Sequence, residues 1–142
     1  GYNMADYWQH WIDMGKRDGA RLPKIFYVNW FRKNEQGGFI WPGFGENSRV
    51  LEWIFKRCDG AVDAVETPIG LLPTLDGLNL DQLGLSEDAI ASLLRVDADG
   101  WMAELPLIED YYASFGEHVP QELKEELEEL KRKLEAVTVN VA

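Results

Sequence analysis

Pro42-Gly43 interrupts the most aromatic stretch of the chain, Phe39-Ile40-Trp41-Pro42-Gly43-Phe44-Gly45-Glu46-Asn47-Ser48-Arg49, and this limits what can form there. Proline removes a backbone donor and fixes φ, and glycine enters conformations that other residues avoid, so no strand continues through the pair. Large aromatics bury the most area in the middle of strands and helices. Here Phe39, Trp41 and Phe44, with Trp30 and Phe31 upstream, crowd a bend instead, and a helix is expected immediately after it. The arrangement suits a flat slot walled by rings and tipped with backbone N–H groups, a shape that a planar heterocycle fills. The plain alternative is core packing, where most aromatics go.

Residue patterns predict the elements on either side. Lys24-Ile25-Phe26-Tyr27-Val28-Asn29-Trp30-Phe31 is β-branched and aromatic on both alternating faces, and reads as a strand buried from two sides. Arg32 to Gly38 is polar, and Phe39-Ile40-Trp41 resumes the β pattern, which makes a hairpin with Phe31 and Phe39 as cross-strand neighbours. Beyond the bend, Asn47 or Ser48 can cap a helix carrying Val50, Leu51, Ile54 and Phe55 on one face, with Gly60 as its stop. Upstream, Met4, Tyr7, Trp8, Trp11, Ile12 and Met14 fall near helical spacing before Gly15. Thr67 to Pro73 predicts one short edge strand bracketed by Pro68 and Pro73, and Leu75 to Leu85 an ordered connector anchored by its leucines.

The last third reads as helical. Ser86 caps a helix through Ile90, Leu93 and Leu94, and Trp101, Leu105, Ile108, Tyr112 and Phe115 mark a second, with Pro106 early in it or kinking it. Pro120 suits the first turn of a third helix, whose stripe is Leu123, Leu127, Leu130 and Leu134. The expected fold class is α+β, mainly helical with a small β-hairpin or sheet, in one domain over residues 1–142. Within it, 24–49 holds the aromatic hairpin and turn, and 86–137 the closing helices.

Charge and cysteine usage narrow the function classes. With 14 basic residues against 25 acidic ones, a net charge of -11 argues against nucleic acid or an anionic membrane surface as partner. No apolar run is long enough for a bilayer span, and the N-terminus lacks a signal-peptide pattern. The single cysteine, Cys58, excludes an internal disulfide framework and fits a reducing, cytoplasmic setting. Cys58 is expected as a buried small residue on the apolar side of its helix. His10 and His118 stand far apart without a zinc-type pattern, and are expected at the surface or as caps.

Taken together, Pro23 to Lys33 and Phe39 to Phe55, with Thr67-Pro68-Ile69-Gly70 and the final acidic helices, resemble the C-terminal region of the GTP-dependent phosphoenolpyruvate carboxykinases. The resemblance covers nearly the whole chain and is most specific from Lys24 to Phe55. It implies part of the C-terminal nucleotide-binding domain of a larger α/β enzyme, a carboxy-lyase. That enzyme converts oxaloacetate and GTP to phosphoenolpyruvate, GDP and carbon dioxide in gluconeogenesis. It further implies that Phe31 and Phe44 sandwich the guanine base and that Phe39 closes a side. Phe44, Gly45, Glu46 and Asn47 would then meet the base edge, with Trp30 and Trp41 backing the slot. Manganese and magnesium would serve the full-length enzyme through ligands outside this chain.

Residue chemistry agrees with that implication from another direction. Stacking a base on a ring is worth about 1–3 kcal/mol but does not discriminate between bases. Choosing guanine needs groups that meet O6, N1–H and the 2-amino group, and a side-chain amide such as that of Asn47 offers both donor and acceptor. Asn47 suits helix capping equally well, and Glu46 suits a first-turn carboxylate. Arg49 is expected to hold the loop in place. The chain has no Gly-x-x-x-x-Gly-Lys-Ser/Thr loop, on which phosphoryl transfer in such enzymes depends. Alone it is therefore expected to be inactive, binding a guanine nucleotide weakly, needing the missing N-terminal part of a monomeric parent, and free to self-associate. The competing reading is a non-enzymatic interaction module whose aromatic patch takes a peptide.

Overall fold

Asn3 starts the first helix in the computed structural model, which describes residues 1–139 as two packed units, Lys24–Val96 and the remainder. In that remainder, α1 spans Met4–Gly15, and the Asn3 carboxamide caps it by accepting from the Ala5 N–H at 2.9 Å. The Asn3 amide nitrogen also donates to the Phe115 carbonyl at 3.2 Å, tying the helix start to a residue more than a hundred positions away. The inward stripe is Ala5, Trp8 and Ile12, while Met4, Tyr7 and Trp11 face solvent.

Two further helices complete this unit. They are α4, Ala98–Ala113, and α5, Gln121–Val139, joined by a 3-10 turn at Gly116–His118. Asp97 caps α4 by accepting from the Gly100 N–H at 3.1 Å, and Pro106 lies inside the helix rather than at its start. Trp8 stands edge-on to Phe115 with centroids 4.7 Å apart, and Tyr111 and Tyr112 flank it. Leu105, Val119 and the fully buried Leu134 form the apolar interior. Leu123, Leu127 and Leu130 are half-buried along the same helix as Leu134, as their spacing predicts.

The other unit holds α2, Asn47–Cys58, an antiparallel pair β1, Ala64–Thr67, and β2, Gly70–Pro73, and α3, Glu87–Leu94. Its core is Trp41, Trp53, Leu78 and Leu83, against which Phe26, Trp30, Val50, Ile54 and Leu93 pack. Phe26 meets Trp53 edge-on, centroids 5.9 Å apart. The connector leucines therefore serve as the anchors expected of them, except Leu75, which is exposed. Ser86 caps α3 as predicted, accepting from the Ala89 N–H at 3.2 Å.

Several expectations are corrected. Between Thr67 and Pro73 the expected short strand is β2, but it pairs across a Pro68-Ile69 turn with a strand that was not expected, β1, Ala64 opposite Pro73 and Thr67 opposite Gly70. Lys24 to Phe31 is not a strand, because no neighbouring chain pairs with it among the described residues. Of Phe39-Ile40-Trp41, only Phe39 pairs, in a single bridge with Lys33. On α2 the inward stripe is Val50, Trp53 and Ile54, whereas Leu51 and Phe55 are exposed. Cys58 is exposed too, since the last turn of α2 carries it past that stripe. The α+β class itself holds, with helices dominant and one small sheet.

Candidate functional site

The aromatic bend is built by short-range polar contacts. Asn29 accepts from the Phe31 N–H at 2.9 Å through its side chain, turning the chain at Trp30-Phe31. Asn34 closes the following loop, accepting from the N–H groups of Gln36 at 3.1 Å and Gly38 at 2.9 Å. Backbone bonds from Ile40 N–H to Arg32 O and from Asn34 N–H to Gly38 O, both 2.9 Å, bracket the Lys33–Phe39 bridge. Lys33 and Phe39 are thus directly opposed, with Phe31 their diagonal neighbour on the same face.

That face is open. Phe31 is 71% and Phe39 59% exposed, and their rings meet at 64° with centroids 5.9 Å apart. The Lys33 ammonium lies 5.5 Å from the centre of the Phe39 ring, within cation–π range. Arg32 points the other way and donates to the carbonyls of Leu93 at 3.1 Å and Arg95 at 3.0 Å, satisfying acceptors at the C-terminal end of α3. Sequence reading assigned no role to Arg32 or Lys33. Alternation from Phe31 was the available signal, since it sends adjacent side chains to opposite faces.

The tryptophans lie behind this surface. Trp41 is buried and Trp30 half-buried, their rings 6.2 Å apart. At Gly43 φ is +123°, a value that L side chains rarely adopt, and this lets the chain reverse into a 3-10 turn at Phe44–Glu46. Phe44 is 92% exposed and touches no other ring among the described residues. A Cβ on Gly45 would meet nothing within 4 Å, so the turn surface there is unobstructed. The structure thus brings Phe31 to Phe39 and Trp30 to Trp41, and leaves Phe44 standing free on the adjoining turn.

Asn47 is the first residue of α2, and Glu46, not Asn47 or Ser48, holds the cap position. Its side chain is drawn elsewhere: the Trp41 indole Nε1–H donates to Asn47 Oδ1 at 2.8 Å. Glu46 and Arg49 form an ion pair at 2.5 Å, one helical turn apart. Arg49 also donates to the Asn79 carbonyl at 2.9 Å, fastening the turn to the leucine connector. One turn on, the Lys56 ammonium beside Glu52 holds that carboxyl below the usual range. Among the described residues no group of three or more His, Cys, Asp or Glu side chains can hold a metal ion. His118 instead meets Asp6 at 2.7 Å on the surface, and His10 lies against the Tyr7 ring.

Comparison with known proteins gives consistent matches. Residues 1–133 match the family described as phosphoenolpyruvate carboxykinase C-terminal P-loop domain. Over 136 residues the chain is 55% identical to the phosphoenolpyruvate carboxykinase [GTP] of Chlamydia trachomatis serovar D, covering 94% of this chain and 22% of that protein. It is 50% identical over 135 residues to the Renibacterium salmoninarum protein of the same name, and 52% over 136 to that of Treponema pallidum strain Nichols, with the same coverage. The chain therefore spans about a fifth of the length of the curated relatives it matches. With a match this long and identities this high, the chain belongs to the family of the phosphoenolpyruvate carboxykinase C-terminal P-loop domain.

Proposed function

We propose that this chain supplies the guanine pocket of a GTP-dependent phosphoenolpyruvate carboxykinase. Phe31 and Phe44 hold the two faces of the base, Phe39 closes one side, and Trp30 backs the slot. Gly45, Glu46 and Asn47 present groups to the base edge. The whole protein then converts oxaloacetate and GTP to phosphoenolpyruvate, GDP and carbon dioxide, in the cytoplasm and as a monomer, in the direction of gluconeogenesis. Its P-loop, and the residues that hold manganese and magnesium, belong to the rest of that protein. On this reading the chain alone is inactive.

The observation that carries this reading is the division of the aromatics. Trp41 and Trp53 are buried, whereas Phe31, Phe39 and Phe44 stand in solvent around one bend. Exposed rings forgo the burial that ordinarily stabilises them, and a stacked purine restores it. Lys33 adds a cation beside the Phe39 ring, which suits an anionic ligand. Nothing in the family relation favours the peptide-binding alternative.

The test uses the full-length protein. Phe44→Ala removes one stacking face worth about 1–3 kcal/mol, so the KM for GTP is expected to rise by about 5- to 150-fold. An unchanged KM would show that the base binds elsewhere.

A further inference from the structure

The hydrogen bond between Trp41 and Asn47 has a consequence for which purine the turn accepts. An indole Nε1–H donates and never accepts, so the carboxamide atom that it meets at 2.8 Å is necessarily the oxygen. Trp41 is itself buried and packed against Trp53, Leu78 and Leu83, so the donor is held in one place. The Asn47 amide is thereby denied its other orientation: turning it over would set two N–H groups against one another. Its Nδ2 group faces away from the indole, and neither of its N–H bonds has a partner among the described residues. Nor is that nitrogen buried, since among the described residues Trp53 Nε1 alone is a buried polar side-chain atom without a partner.

We infer that Trp41 is a positioning residue that sets the purine specificity of the turn, by locking the Asn47 carboxamide so that it presents a donor and not an acceptor. This rests on the guanine-pocket reading and refines it. A donor at this point complements a purine 6-oxo group. A 6-amino group brings a second donor to the same place and leaves both unpaired, a loss that a polar site makes costly. The 2-amino group does not enter, so inosine nucleotides, which keep the 6-oxo group and lack the 2-amino group, are accepted with guanosine ones. Selection at Asn47 thus works by rejecting 6-aminopurines. A free amide would rotate and serve both.

The experiment compares kcat/KM for GTP, ITP and ATP in the full-length protein. Trp41→Phe keeps an aromatic ring and removes the donor. Its GTP-over-ATP ratio is expected to fall about tenfold, with ITP following GTP. A merely structural role for Trp41 lowers all three values together, and a ratio within about twofold of the parent overturns the inference. Because Trp41 is a core residue, Asn47→Asp gives a second reading in case Trp41→Phe fails to fold. The carboxylate keeps an acceptor for the indole and turns an acceptor outward, so preference shifts towards ATP by about tenfold or more. Retention of the parental GTP preference in Asn47→Asp also overturns the inference. Phe44→Ala separates this from the underlying reading. A raised KM for GTP in Phe44→Ala with an unmoved ratio in Trp41→Phe refutes the positioning role alone. An unmoved KM in Phe44→Ala refutes the pocket.

Discussion

Asn47 illustrates how a residue type acquires its role from one neighbour. Asparagine is among the best helix caps, yet here it is the first residue inside α2, one position past the cap. The Trp41 indole takes its oxygen instead, and Glu46 stands at the cap with its side chain turned to Arg49 and not to the helix N–H groups. Arg32 is the converse case, a residue that drew no notice in a polar loop but holds two carbonyls at the end of α3. Hydrogen bonds from a charged donor contribute about 1.5–3 kcal/mol each where they are desolvated, less where water competes. Arg32→Ala is therefore expected to destabilise by about 2 kcal/mol, read as a lower denaturation midpoint, with faster amide exchange at the end of α3. Arg32→Lys restores only part, because one ammonium does not span both carbonyls as the guanidinium fork does. Cys58 shows the limit of reading a helix face by periodicity: the stripe of Val50, Trp53 and Ile54 fades before the last turn.

At the scale of elements, ends were more legible than pairings. Gly15 and Gly60 were both expected to stop helices, and at Gly60 φ is +72°. There the Ala61 N–H reaches the Lys56 carbonyl at 2.8 Å and the Gly60 N–H reaches Arg57 at 3.4 Å, the two bonds of a Schellman cap. Gly60→Ala should cost about 1–2 kcal/mol through the left-handed backbone alone, visible in the thermal midpoint. The surface of α5 depends on pH in a defined direction. Arg132 beside Glu129 holds that carboxyl below the usual range, and Lys16 does the same for Glu122. A depressed folded value means that the stabilisation is complete above the ordinary carboxylate value and is lost as pH falls through the depressed one. The Lys16 ammonium is raised in turn by Glu122, so its share persists below its ordinary value and is lost only as pH rises through the raised one. Acid titration of stability should therefore show a loss beginning below about pH 4.5, shallower in Glu129→Gln. A titration identical in the two proteins would rule out the pair as a contributor.

Across the whole molecule, the unpaired segment from Lys24 to Phe31 carries the most information. Ile25 and Tyr27 are each 91% exposed, and no backbone hydrogen bond joins 24–30 to any described residue. Backbone groups and apolar side chains left in this state are ordinarily paired and covered. The prediction is that amides of Ile25, Tyr27 and Val28 exchange rapidly in the isolated chain and slowly in the full-length protein, where the remaining four-fifths of the length supplies neighbours. Equal protection in both would place the covering surface within this chain or its copies. The strand pattern of Lys24 to Phe31 was thus plain in the residues, but a strand needs a partner, and pairing is a property of the surroundings. The same division runs through the site. The Ser86 cap, the helix stop at Gly60, the break at Pro42-Gly43 and the crowding of aromatics around it depend on interactions within a few residues, and the sequence alone determined them. The cap of α2, by contrast, fell to Glu46 and not to Asn47 or Ser48. Which rings are buried and which stand free, which way the Asn47 amide faces, and that Arg32 reaches α3 depend on contacts between residues distant in the chain or on the path of the backbone between them. Only the tertiary structure decided those, because local preferences specify conformations, whereas burial and hydrogen-bond partners are settled by what else occupies the same space.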